Sequence, residues 1–158
     1  IDLASHQIDQ FLWLTDSENA VISASSVGNY ANPTLAEFED YGEIFLRSPT
    51  ANGFIRVDWH TPDALPTWGD GRLFIQGTEG YMELRKYIDI QGQDGKDHLM
   101  LVNQDRYERI DCSEVPILYF GQFLTDISDR TEHTMTHEHC FTVCRLALEA
   151  QEKAVQLG

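Results

Sequence analysis

The chain has 158 residues, 42% hydrophobic and 23% charged, a balance suited to one folded domain, 1–158, with a core of its own. Its 11 basic against 26 acidic residues leave a formal net charge of -15. That charge argues against a nucleic-acid partner and against an anionic membrane surface, because both demand a basic face.

No apolar run approaches the roughly 20 residues a membrane span needs, and no signal-peptide pattern is present. The chain opens without methionine, so we expect a missing upstream part. Cys112, Cys140 and Cys144 are an odd and sparse set, which fits reduced thiols in a cytoplasmic protein.

The first element is a helix over about residues 3–14. Ile1, Ala4, Ile8, Phe11 and Leu12 recur at three- and four-residue steps and define its apolar face. At about 100° per residue, Asp2, His6, Asp9 and Trp13 fall on a separate stripe.

From Ala20 to about Asp111 the chain reads as strands. AVISASSVGNYA, EFEDYGEIFLRS, GFIRVDWH, GRLFIQGT, GYMELRKYIDIQ, DHLMLVN and RYERIDC are rich in β-branched and aromatic residues. In FIRVDW, Ile55, Val57 and Trp59 alternate with Phe54, Arg56 and Asp58, the pattern of a sheet with one buried face. SPTANG, QGTEGY and QGQDGKD supply tight turns, so the strands should form an antiparallel meander.

The last quarter returns to helix. LYFGQFLTDISDR gathers Leu118, Phe120, Phe123, Leu124 and Ile127 on one side. Thr136 is the expected N-cap of a final helix running to Gly158, with Phe141, Cys144, Leu148 and Val155 as its buried stripe. Helix, long antiparallel sheet and two closing helices together predict an α+β fold: a large, mostly antiparallel open sheet with helices on one face.

Asp2 and His6 are the first candidates for chemistry. An imidazole titrates near neutrality, so it can take up a hydroxyl proton and return it. A carboxylate one turn earlier can fix its tautomer. Such a pair suits alcohol oxidation, in which a hydroxyl proton leaves as the carbon-bound hydrogen departs as hydride. The alternative is that Asp2 only complements a helix N-terminus and His6 is a surface residue.

HTMTHEHCFTVC packs His133, His137, His139, Cys140 and Cys144 into twelve residues of zinc-ligand type. Structural zinc sites, however, come as paired knuckles, and both cysteines lie on the expected apolar stripe. We therefore expect core packing and solvated His137 and His139, with no metal. The long connection DWHTPDALPTWGDGR makes His60, Trp68 and Arg72 candidates for a substrate-pocket wall, because aromatic platforms suit sugar rings. Packing of the tryptophans at the sheet rim is the alternative. No phosphate-binding glycine loop and no nucleophile elbow occurs.

Asp2-x-x-x-His6 followed by FLWL, the hairpin FIQGTEGYMEL and the closing CFTVCRLALEAQEKAVQLG together resemble the C-terminal domain of the Gfo/Idh/MocA family of NAD(P)-dependent oxidoreductases. The resemblance covers nearly the whole chain. Ala4 departs from it, since the family often has glycine two residues before the histidine. The resemblance implies a glyceraldehyde-3-phosphate-dehydrogenase-like C-terminal domain and, upstream, a Rossmann domain holding NAD or NADP and a catalytic lysine. It further implies that Asp2 and His6 match the family's substrate-side pair, with a sugar- or polyol-like substrate and homo-oligomerisation through the sheet. The isolated chain should then bind no cofactor and be inactive. The competing expectation is a non-catalytic carbohydrate-binding or oligomerisation module.

Overall fold

The three- and four-residue apolar repeat at the start of the chain forms helix α1, Asp2–Thr15, in the computed structural model, which describes residues 2–157. Ala4, Ile8 and Leu12 are its buried residues and Phe11 packs beside them; Ile1 of the expected face lies outside the described residues. Strands follow at Val21–Gly28 (β1), Tyr41–Arg47 (β2), Asn52–Asp58 (β3), Arg72–Gln76 (β4), Gly80–Arg85 (β5), His98–Asn103 (β6) and Tyr107–Asp111 (β7). Helices Tyr119–Asp129 (α2) and His137–Glu152 (α3) and a short strand Val155–Leu157 (β8) complete the order. The α+β class and the antiparallel pairing agree with the sequence expectation. The strands divide between two four-stranded sheets, and the chain between two compact units.

The first unit comprises Ile1–His60 and Tyr119–Gly158. Its sheet runs β3-β2-β1-β8, antiparallel except for the β1–β8 edge. α1 and α3 lie on one face of it. Their Ala4, Ile8, Leu12, Leu146, Ala147 and Ala150 meet Ile22, Ile44, Leu46 and Ile55 in a single buried cluster. Two contacts set how closely the layers approach. A Cβ on Gly53 would stand 2.7 Å from the Phe11 ring, so glycine is what lets α1 sit against β3. Ser25 Oγ donates to the Ala150 carbonyl at 2.6 Å and pins α3 to β1.

The second unit, Thr61–Leu118, is the meander β4-β5-β6-β7. The Gly77 amide donates to the Gly80 carbonyl at 2.8 Å and closes the β4–β5 hairpin. A Cβ on Gly80 would lie 2.2 Å from the Val102 carbonyl oxygen, which explains glycine where β5 meets β6. Among the described residues of this unit only His98 is buried. Arg109 donates to its Nδ1, and since arginine cannot accept, the ring proton belongs on Nε2.

Three expectations need correction. The final helix stops at Glu152, where Lys153 caps it and its amide returns to the Glu149 and Gln151 carbonyls; Val155–Leu157 then pair parallel to Ser26, Val27 and Gly28. The buried stripe of α3 is Leu146, Ala147 and Ala150, backed by Val143, whereas Phe141, Cys144, Leu148 and Val155 are exposed. This helix is apolar on two sides, and the small side chains win the sheet because they permit closer approach. Leu118 and the α2 residues Phe120, Phe123, Leu124 and Ile127 are likewise exposed; the buried residue of α2 is Asp126. Among the described residues no helix is long and apolar enough to cross a membrane.

Candidate active site

α1 holds two rows of side chains in fixed relation. With Ala4, Ile8 and Leu12 locked in the core, the row Asp2, His6, Asp9 and Trp13 is turned outward. Ser5 Oγ donates to the Asp2 carbonyl at 2.8 Å in the first turn, where the Asp2 carboxylate also complements the helix dipole. Both Asp2 and His6 are exposed. Among the described residues neither side chain has a hydrogen-bond partner, so the imidazole is free to meet a group from outside the chain.

One turn on, Asp9 is committed. Its Oδ1 lies 2.6 Å from Nε2 of His139 on α3, an ion pair that ties the two helices together. The expectation of a solvated His139 is therefore corrected. His137, also expected to be solvated, forms an ion pair with Glu132, and its backbone amide donates to the same carboxylate at 3.0 Å. Among the described residues no group of three or more His, Cys, Asp or Glu side chains is arranged to hold a metal ion. Sequence reasoning passed over the Asp9–His139 pair because its partners are 130 residues apart, and no local pattern signals such a contact.

The pocket-wall candidates fall in both units. Trp68 and Arg72 belong to the second, where Arg72 makes a two-point contact with Asp70, at 2.9 Å from Nε and 2.8 Å from a terminal nitrogen. His60 belongs to the first, with its ring stacked over Tyr41 at 6.4 Å and 16°. Its Nε2 is 3.3 Å from Oδ1 of the fully buried Asp40 but makes no hydrogen bond there among the described residues. Asp40 was not anticipated. It accepts from the Tyr30 and Ala31 amides at 2.8 Å each and from Asn32 Nδ2 at 2.9 Å. The only local cue is an aspartate beside a strand start, which equally marks an ordinary turn.

Burial opposes ionisation of Asp40, but the donors from Tyr30, Asn32 and Ala31 outweigh it and hold the carboxyl well below the usual range. Asp126 is depressed similarly by bonds from the Thr131 hydroxyl, Thr134 and the His133 amide. A carboxyl whose folded-state value is depressed stabilises the fold fully above its unfolded value, near pH 4, and loses that contribution as pH falls further. Asp40→Asn should therefore lower stability at neutral pH and flatten its decline in acid, as read by thermal melts across the acid range. An unchanged acid slope would contradict this.

A dinucleotide cradle needs a glycine-rich entry into a helix. α2 and α3 are entered through residues 112–118 and 130–136, neither of which contains glycine, and Gly77 and Gly80 lead into a strand. The described residues thus form no glycine-rich strand-turn-helix that could seat a pyrophosphate.

Residues 1–83 match the GFO/IDH/MocA C-terminal domain family. A solved structure from Erwinia carotovora atroseptica SCRI1043, provisionally described as an oxidoreductase, is 40% identical, with a TM-score of 0.94 over 99% of this chain and 47% of its own. Two further structures with the same provisional description share the fold. One from Thermotoga maritima is 19% identical with a TM-score of 0.77, over 96% of this chain and 43% of its own. YvaA from Bacillus subtilis is 23% identical with a TM-score of 0.62, over 97% of this chain and 47% of its own. The chain therefore spans about half the length of the solved structures it matches. Comparison with curated proteins finds no match.

Proposed function

The chain belongs to the GFO/IDH/MocA C-terminal domain family, and from this premise we propose that it is the substrate side of an NAD(P)-dependent oxidoreductase acting on a sugar- or polyol-like secondary alcohol. The observation that carries the reading is the outward placement of Asp2 and His6, four residues apart, on a helix whose opposite face is locked in the core. The cofactor would be held by a Rossmann domain outside the chain. A nicotinamide, when bound there, supplies the hydride acceptor.

The residues of this chain manage the proton. In the oxidation direction His6 accepts the hydroxyl proton of the alcohol, and in reduction it returns it. Asp2, one turn earlier, favours the charged imidazolium that results. An exposed imidazole on a helix anchored by its buried face suits this work, because the backbone stays fixed while the ring is open to substrate. His60 on the first unit and, separately, Trp68 and Arg72 on the second stay as proposed substrate contacts. The three cysteines are free, in keeping with a cytoplasmic protein.

Pairing through the sheet is part of the same proposal. On the β2–β3 face, Phe45 and Phe54 are exposed with ring centroids 4.8 Å apart, an apolar pair suited to burial against a second copy. Light scattering should give twice the protomer mass, and a clean monomer would count against it. The enzymatic reading is tested by mixing the full-length protein with NAD or NADP and a panel of sugars and polyols. Substrate-dependent nicotinamide reduction is expected. Cofactor and sugar binding without any turnover would favour the non-catalytic module instead.

A further inference from the structure

His6 is flanked by two carboxylates, Asp2 four residues before it and Asp9 three after, and either spacing brings a side chain within reach on a helix face. The fold treats the two differently. Asp9 Oδ1 is 2.6 Å from Nε2 of His139, whereas Asp2 has no partner among the described residues. His139 is itself well fixed: its amide donates to the Thr136 Oγ1 cap at 3.1 Å, and its side chain is 24% exposed. The neighbouring His137 is engaged by Glu132 and does not compete for Asp9. From β3, which also packs on α1, Gly53 meets Phe11 while Ile55 and Val57 join the core. The ionisable β3 residues Arg56 and Asp58, on the alternate positions, pair with each other at 3.1 Å. Among the described residues, the carboxylates on the His6 stripe are therefore Asp2 and Asp9, and His139 reaches Asp9 from α3.

We propose that His139 is a positioning residue: by holding Asp9 it leaves Asp2 as the sole carboxylate that orients His6, and it fastens the reactive stripe of α1 to α3. The inference rests on the assignment of His6 as the proton acceptor. Freeing Asp9 would give the imidazole a second, competing partner. The ring would then divide its time between two orientations, and its protonated form would gain a second anion.

The test uses the full-length protein turning over its best alcohol. His139→Leu should lower kcat on the order of tenfold with KM changed by less than about twofold, the pattern of a misplaced reactive group. The acid limb of its kcat/KM profile should move to higher pH. Adding Asp9→Asn to that variant should return the limb, because the competing charge is gone. His139→Gln, which keeps an N–H for Asp9, should hold kcat within about threefold. A His139→Leu enzyme with unaltered kcat and pH profile would overturn the proposal, as would a double variant whose limb stays shifted. A collapsed kcat in a folded His139→Gln would do so even if the leucine variant does not fold. Undiminished turnover in His6→Ala would instead sink the assignment of His6, so the two failures are distinguishable.

Discussion

His6→Ala in the full-length protein is expected to lower kcat/KM on the order of 10²–10⁴-fold, the range for removing a positioned general acid–base. KM should change little, since the proton moves in the transition state and not on binding. The loss should come without a loss of fold. His6 is exposed on a helix whose Ala4, Ile8 and Leu12 supply the buried contacts, so stability should stay within about 0.5 kcal/mol. Asp2→Asn should cost less, on the order of tenfold, because it weakens the charged form of the ring without removing the ring. A His6→Ala protein that turns over normally would mean that another group takes the proton.

Leu146→Ala should destabilise the first unit by about 2–5 kcal/mol, while Leu148→Ala, two residues on, should cost no more than about 0.5 kcal/mol. Leu146 is fully buried against α1 and the sheet, and truncating it leaves a hole that close-packed neighbours fill only in part. Leu148 is 62% exposed and has little packing to lose. Denaturant melts of the two variants separate the outcomes cleanly. The comparison is pointed because periodicity alone assigned the larger role to Leu148.

That reversal shows where sequence patterns stop being decisive. α1 was legible because Ala4, Ile8 and Leu12 line one side while the other carries Asp2, His6 and Asp9, which leaves one face for the core. The seven strands β1–β7 were legible because alternation and glycine turns agree locally. α3 offers two apolar sides, Phe141–Cys144–Leu148 and Leu146–Ala147–Ala150, and only tertiary packing chooses between them. β8 was hidden because Val155 and Leu157 continue a helical apolar repeat, and pairing with β1 at Ser26–Gly28 decides otherwise. At the candidate site, the Asp2–His6 spacing was visible as a local feature. The engagement of Asp9 by His139 was not, nor was the burial of Asp40 beneath His60, because both depend on segments brought together by the fold.

In the proposed reaction His6 receives the proton of a substrate hydroxyl on this side of the enzyme. A crystal structure of the full-length protein with nicotinamide and an alcohol substrate tests it most directly. The reactive hydroxyl is expected within about 2.6–3.2 Å of a His6 ring nitrogen, with the Asp9–His139 pair intact beside it. A hydroxyl bound to other residues, with His6 left in solvent, would contradict it.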